Sequence, residues 1–422
     1  MAELSVNFAG IRAPNPLWLA SAPPTDKAYN VNRALEAGWG GVVWKTLGED
    51  PPIVNVSGPR YGYMHGGERR LLGFNNIELI TDRPLAVNLR EVAEVKKNWP
   101  DRALLVSVMV PMKEESWADI VARIEDAGAD GLELNLGCPH GMSERGMGAA
   151  VGQVPEYVAQ VCAWCKKHSR LPVVVKLTPN VTDIRQPALA AQEGGADAVS
   201  LINTINSIMR VDYDTLSVWP AVDRKGTHGG YCGPAVKPIA LHMVAEIARD
   251  PRTRGLPIGG IGGVETWRDA VDYLALGAGT VQVCTSAMTY GFRIVDDMLQ
   301  GLARFLDEKN LHSVDRLVGA AVPSLTDWKY LNLNYVEKAW IDQDKCIQCG
   351  RCHIACEDTS HQAITHEVNG RRHYEVIPGE CVGCNLCAAV CPVEGCITMR
   401  PAGAAEHADW TTHPNNPART AG

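Results

Sequence analysis

Two tight cysteine runs near the C-terminus constrain this chain more than any other feature. Cys346, Cys349, Cys352 and Cys356 form the first; Cys381, Cys384, Cys387 and Cys391, with Pro392 directly after, form the second. Each reads C-x2-C-x2-C-x3-C, the spacing that holds a pair of [4Fe–4S] cubes. Three thiolates with two residues between neighbours wrap a loop around one face of a cube. The fourth, three residues further on, points away and ligates the other cube. Crossed ligation then gives one cluster Cys346, Cys349, Cys352 and Cys391, and the other Cys381, Cys384, Cys387 and Cys356. Zinc knuckles seldom use four cysteines in so short a run, and no secretory signal supports a disulfide framework. This module occupies residues 337–400 and implies electron transfer.

The 422 residues leave about three hundred upstream, enough for one large domain. Short apolar runs alternate there with helix-like stretches, as expected of parallel strands buried on both faces. The runs are Leu17–Ala20, Gly41–Lys45, Leu104–Val108, Gly131–Leu136, Val173–Leu177, Ala198–Ile202, Pro257–Ile261 and Thr280–Cys284. A weak repeat supports the count. Gly128-Ala129-Asp130, Gly195-Ala196-Asp197 and Gly277-Ala278-Gly279 each end a helix on glycine and begin a strand at once, and Gly38-Trp39-Gly40 plays the same part earlier. Eight strands alternating with helices predict an α/β fold, a (β/α)8 TIM barrel over residues 1–312 that works from the C-terminal ends of its strands. Residues 313–336 read as a connector and 401–422 as a surface tail. The net charge of −8 and scattered basic residues argue against a nucleic-acid or anionic-membrane surface. No apolar run reaches the length of a membrane span. Unpaired cysteines and oxygen-sensitive clusters predict a reducing, cytoplasmic location.

The strand ends hold the chemistry. Gly262-Gly263 after the seventh strand and Thr285-Ser286 after the eighth stand where such barrels hold a phosphate, with backbone N–H groups and hydroxyls as donors. Lys45 and Lys176, at the ends of the second and fifth strands, place cations where they would stabilise an anionic reduced flavin. The loop after the fourth strand, Asn135-Leu136-Gly137-Cys138-Pro139-His140-Gly141, puts a thiol on a glycine-rich segment suited to closing over a ligand and exchanging a proton. His140 reads as structural. Cys162 and Cys165 lie within a helical stretch and read as packing, as does Cys396 near a cluster. No G-x-G-x-x-G fingerprint follows a strand, so electrons are expected from a second protein that carries the NAD(P)H site.

These residues resemble a known family. Ser21-Ala22-Pro23, Ala37-Gly38-Trp39-Gly40, Asn76-Ile77-Glu78-Leu79-Ile80, Glu133-Leu134-Asn135, Cys138-Pro139-His140-Gly141, Lys176-Leu177-Thr178-Pro179-Asn180-Val181-Thr182 and Asn203-Thr204 are similar to the flavin barrel of the dihydroorotate dehydrogenase group. They are closer still to dihydropyrimidine dehydrogenase, and with the cysteine module the likeness covers nearly the whole chain. The layout is similar to a separate bacterial catalytic subunit that lacks the FAD- and NADPH-bearing half of single-chain members. The resemblance implies that Cys138 protonates C5 of uracil or thymine while reduced FMN delivers hydride to C6. It implies pyrimidine contacts from Asn76, Asn135, Asn203 and Thr204. It implies an FMN site built from Ser21, Lys45, Thr46, Lys176, Gly233, Gly262, Gly263, Cys284 and Thr285. A FAD- and NAD(P)H-binding flavoprotein would complete a hetero-oligomer, a heterotetramer. One departure stands out: the family often has serine before the cysteine, touching the substrate, where this chain has Gly137. A dihydroorotate-type or other cyclic-amide oxidoreductase, and a non-catalytic flavin and iron–sulfur carrier, are the competing readings.

Two complete cysteine sets predict roughly eight iron atoms per fully loaded chain. Iron analysis of anaerobically purified protein checks this, and a value of about four would contradict two clusters. Cys391→Ser should damage the cluster held by Cys346, Cys349 and Cys352.

Overall fold

The computed structural model describes residues 2–332, 335–359, 361–368 and 370–402, so the tail expected from 401 lies almost wholly outside the described residues. The chain divides into two compact units, one running to Leu325 and the other starting at Thr326. The division falls inside the segment expected to be a connector. Its first part belongs to the barrel unit: Val314 and Leu317 are buried in the core, and Gly319 and Ala321 N–H groups bond the carbonyls of Leu274 and Ala275, each at 2.9 Å.

In the first unit eight parallel strands close a barrel in sequence order. They are β1 (Leu17–Leu19), β2 (Gly41–Leu47), β3 (Ala103–Val108), β4 (Gly131–Asn135), β5 (Val173–Lys176), β6 (Ala198–Leu201), β7 (Ile258–Ile261) and β8 (Ala278–Val283). Gln282 pairs with Trp18 to complete the ring. The helices that follow them in turn are α1 (Ala28–Ala37), α2 (Leu85–Asn98), α3 (Glu114–Asp126), α4 (Pro155–His168), α5 (Arg185–Glu193), α6 (Lys237–Arg249), α7 (Trp267–Ala275) and α8 (Ile294–Glu308). This is the (β/α)8 barrel expected from the eight apolar runs. The strands are buried along their length because helices cover the outside and side chains fill the inside.

The glycine-ended repeat has a physical basis. Gly38, Gly128, Gly195 and Gly277 have φ of +115°, +83°, +88° and +109°, the left-handed conformation that stops a helix. The aspartates after two of them then tie neighbouring strands together. Asp130 Oδ2 accepts the Leu104 N–H at 2.9 Å and Lys96 Nζ at 2.7 Å; Asp197 Oδ2 accepts the Val173 N–H at 2.7 Å and Lys166 Nζ at 2.8 Å.

Two insertions not anticipated from the sequence stand over the strand ends. Tyr61–His65 and Leu71–Asn76, after β2, join Ile205–Ser207 and Gly229–Cys232, after β6, in a four-stranded antiparallel sheet. This sheet carries Asn76 and Cys232 and leads directly into Gly233.

The second unit pairs Glu337–Ile341 antiparallel with Ile397–Pro401. Short helices Arg351–Glu357 and Leu386–Ala389 follow the start of each cysteine run. The two runs turn alike. Gln348 and Gly350 in the first, and Gly383 and Asn385 in the second, are all left-handed, with φ of 56°, 77°, 75° and 65°. Identical turns two and four residues after the leading cysteine are what curls each loop around a common centre.

Candidate active site and cluster pockets

A cavity opens at the C-terminal ends of the barrel strands, lined among others by Ser21, Lys45, Thr46, Asn76, Glu78, Asn135, Cys138, His140, Asn203, Cys232 and Cys284. A polar relay crosses its floor. Ser21 Oγ lies 3.2 Å from Thr46 Oγ1, Asn135 Nδ2 donates to Thr46 Oγ1 at 2.9 Å, and Asn203 Nδ2 donates to Asn135 Oδ1 at 2.9 Å. Residues in or just after β1, β2, β4 and β6 are thereby joined in one chain of donors and acceptors, although they lie up to 182 residues apart. Asn76 reaches in from the inserted sheet, its Nδ2 anchored on the Gly230 carbonyl at 3.1 Å. Thr204 stands outside the wall; its N–H bonds Asn203 Oδ1 at 2.8 Å, so it fixes the neighbouring amide.

Gly137 has a steric reason to be glycine. A Cβ placed there would fall 2.5 Å from Asn203 Cβ and 2.7 Å from Asn203 Nδ2. The asparagine therefore occupies the space a serine side chain would need.

The two lysines come with carboxylates that the sequence reading did not assign. Lys45 Nζ is 2.6 Å from Glu78 Oε1 and 3.6 Å from Asp26 Oδ2; Arg60 approaches Glu78 at 3.6 Å and the Tyr61 hydroxyl bonds it. Burial raises the Asp26 carboxyl above its ordinary value against the pull of Lys45, and burial followed by Glu78 raises the Tyr61 hydroxyl. Lys176 lies deeper, its Nζ 3.5 Å from the fully buried Glu133. The only advance signal for Glu78 and Glu133 was their place inside the runs Asn76–Ile80 and Glu133–Asn135.

Cys138 is 8 % exposed and its Sγ donates to the His140 carbonyl at 3.5 Å. Burial pushes this thiol up to about 11, with the Lys176 ammonium pulling the other way. The thiol is consequently protonated at neutral pH and can donate a proton. His140 holds the loop down: Nε2 faces the Glu78 carbonyl at 3.0 Å, and burial lowers its pKa so that the ring stays neutral. This is the structural part expected of it. Cys162 and Cys165 are buried in α4, where burial pushes Cys162 up to about 12, as befits packing residues. Cys232, in the cavity wall, escaped the sequence reading because its strand is only four residues long.

A second cavity is lined by Gly233, Gly262, Gly263, Gln282, Thr285 and Ser286, and shares Asn203, Cys232 and Cys284 with the first. Gly263 must be glycine: a Cβ would sit 2.8 Å from Lys237 Cβ and 2.9 Å from the Gly233 carbonyl, so three glycines bring bare backbone to the cavity. Ser286 Oγ is taken by the Val264 carbonyl at 2.6 Å, which leaves Thr285 as the hydroxyl of that pair facing inward. Two joined spaces, one walled by amides and a thiol and one by glycine backbone, fit a ligand with a flat polar ring and a phosphate tail, as FMN has.

In the second unit Cys356, Cys381, Cys384 and Cys387 line one cavity, the set that crossed ligation calls for. Cys352 lies within electrostatic reach of Cys346, Cys387 and Cys349, and Cys396 within reach of Cys391 and Cys346. Cys396 is buried with its Sγ 3.6 Å from the Asp342 carbonyl, next to a ligand set and outside both. The Ala363 N–H donates to Cys356 Sγ at 3.2 Å, a bond of the kind that tunes a thiolate ligand.

Fold and sites together define an oxidoreductase barrel carrying an iron–sulfur module. The family model for dihydroorotate dehydrogenase matches residues 3–306, and that for a 4Fe-4S dicluster domain matches residues 339–399. The chain belongs to the dihydroorotate dehydrogenase family, on its dihydropyrimidine dehydrogenase branch, and its cofactors are FMN and [4Fe–4S] clusters. The NAD-dependent dihydropyrimidine dehydrogenase subunit PreA of Escherichia coli is 41 % identical over 94 % of this chain and 95 % of its own length. The chloroplastic dihydropyrimidine dehydrogenase (NADP(+)) of Arabidopsis thaliana is 38 % identical over 82 % and 83 %. The catalytic subunit of dihydroorotate dehydrogenase B (NAD(+)) of Pyrococcus abyssi is 37 % identical over 76 % and 99 %. A crystal structure of DHODH from Eimeria tenella in complex with ferulenol, 21 % identical, superposes with a TM-score of 0.61 over 75 % of this chain and 88 % of that one, which shows a shared fold. Among the described residues no helix is long and apolar enough to cross a membrane.

Because Cys138 is held protonated, its alkylation by iodoacetamide in unliganded protein should keep rising as pH climbs towards about 11, whereas an ordinary thiol levels off above about 8.5. Mass spectrometry of the Cys138 peptide against pH reads this directly. A plateau by pH 9 would contradict the burial effect.

Proposed function

We propose that this chain catalyses reversible reduction of the 5,6-double bond of uracil and thymine. The observation that carries the reading is the meeting of the protonated Cys138 thiol with the carboxamides of Asn76, Asn135 and Asn203 in one cavity at the barrel mouth. A carboxamide offers both donor and acceptor, the pattern that the imide edge of a pyrimidine requires. Bound FMN supplies the hydride for C6. Cys138 would give the proton to C5, and its high pKa would keep that proton in place until carbanion character develops at C5. Closure of the loop around Cys138, pinned by His140, over a bound ligand would exclude water from the chemistry.

Ser21, Lys45, Thr46, Lys176, Gly233, Gly262, Gly263, Cys284 and Thr285 are assigned to the flavin, the glycines and Thr285 to its phosphate. Asn203 takes the pyrimidine together with Asn76 and Asn135, and Thr204, expected beside them, serves by holding the Asn203 amide through its N–H. The eight cysteines divide in the crossed pattern, and their clusters supply one-electron transfer between the barrel and a FAD- and NAD(P)H-binding partner subunit. That a relative is named as a subunit supports such a partner; the assembly proposed is a heterotetramer. The cellular setting is a reducing cytoplasm. Dihydroorotate is the weaker substrate, because its carboxylate would meet a wall in which Lys45 is already paired with Glu78.

Replacing Cys138 with alanine should leave FMN bound and reducible by artificial donors, while pyrimidine reduction slows by about 10²–10⁴-fold. Cys138→Ser should also be slow, since a hydroxyl is a far weaker acid. Near-normal turnover of the alanine variant, measured anaerobically with an artificial donor, would remove the thiol from the chemistry.

A further inference from the structure

Beneath the mouth the barrel interior contains a carboxylate with no exposed surface. Glu133, on β4, accepts Ser200 Oγ at 3.0 Å through Oε2, while Oε1 has no hydrogen-bond partner. Among the described residues the cation facing Oε1 is Lys176, on the neighbouring strand, at 3.5 Å. The other polar groups in this layer are neutral. Thr280 Oγ1 and both amide atoms of Gln282 are buried and unpaired, and a Cβ on Gly259 would lie 3.3 Å from Ser200 Cβ, 3.3 Å from Thr280 Oγ1 and 3.4 Å from Gln282 Nε2. Ser200, Thr280 and Gln282 therefore border one small space on β6, β7 and β8.

A carboxylate removed this far from water is tolerable only when its charge is compensated, and removing one partner of such a pair leaves the other strongly destabilised. Lys176 is also the ammonium felt by Cys138 and Cys284, which both line the main cavity. Lys176 does not line the cavity itself, but it pairs in register with Asn135, which does, so its charge stands one strand away from the place where a flavin ring would lie. A lone cation there would favour the anionic reduced flavin and raise its potential. A cation cancelled by a carboxylate behind it would not.

We propose that Glu133 is a positioning residue: it holds the Lys176 ammonium from below and offsets most of its charge, so keeping the flavin potential low. This rests on the assignment of FMN to the barrel mouth and adds to it a control on the cofactor. A flavin that must share electrons reversibly with iron–sulfur clusters gains from such a control, because an uncompensated lysine would trap electrons on the ring.

The test compares the holoprotein with its E133Q and S200A variants. E133Q keeps the shape and the Ser200 contact and removes the charge; S200A removes the contact and keeps the charge. Each is loaded with FMN, its flavin content is measured by release and fluorescence, and its flavin is equilibrated anaerobically against a reference dye. At a fixed solution potential the reduced-to-oxidised flavin ratio should rise about tenfold or more in E133Q, as removal of a nearby buried charge requires, and stay near the unaltered value in S200A. An unmoved ratio in E133Q, or an equal rise in S200A, would overturn the inference. Should E133Q not accumulate as folded protein, E133D draws the carboxylate back by one methylene: a smaller rise supports the inference, and none overturns it. A chain that takes up no FMN would refute the flavin assignment and this inference with it, whereas a loaded chain with an unmoved ratio refutes the inference alone.

Discussion

The parallel register that closes eight strands into a ring is the constraint on which everything else depends. Once Gln282 pairs with Trp18, every strand ends on the same face, and Ser21, Thr46, Asn135 and Asn203 arrive within hydrogen-bond reach from four separate strands or their loops. The aspartates at the strand starts brace that register from the other end by bonding an N–H among the first two residues of the preceding strand. A shift of one residue would turn the polar ends outward and the apolar ones in. The site is a consequence of closure rather than an addition to it.

Electrostatic pairing then decides what the mouth can do. Lys45 and Lys176 would each be a strong unbalanced charge in a buried place, and each has a carboxylate partner, Glu78 or Glu133. Such pairs cost desolvation and are poor devices for stability, so their presence at a cavity fits a role in controlling charge. The thiol follows the opposite course. Burial leaves Cys138 with its proton, and the nearest cation weakens that effect without reversing it.

The parts of this arrangement that are local in the chain were legible in the sequence. The cysteine spacing, the eight apolar runs and the glycine turns are each written within about ten residues, and the structure places strands on all eight runs with end shifts of one or two residues. The cysteine loop was legible for the same reason: a thiol directly after a strand end is positioned by its own strand. What escaped is non-local. The four-stranded sheet over the mouth needs segments more than a hundred residues apart, and its strands are short and rich in glycine and asparagine, which carry weak strand preference. Glu78, Glu133, Cys232 and Gln282 matter through partners on other elements, and no spacing rule points to them. Gly137 shows the limit clearly: the sequence marks a missing hydroxyl, but only the fold places Asn203 where that side chain would stand.

The central claim, that the amide-lined cavity with its thiol handles a pyrimidine ring, is tested most directly by anaerobic titration of the FMN- and cluster-loaded chain with dihydrouracil, dihydrothymine and dihydroorotate in turn. The flavin absorbance band is followed after each addition. The account predicts bleaching by dihydrouracil and dihydrothymine and none of comparable rate by dihydroorotate. Bleaching by dihydroorotate alone, or by none of the three in a chain whose flavin is reduced by dithionite, would contradict it.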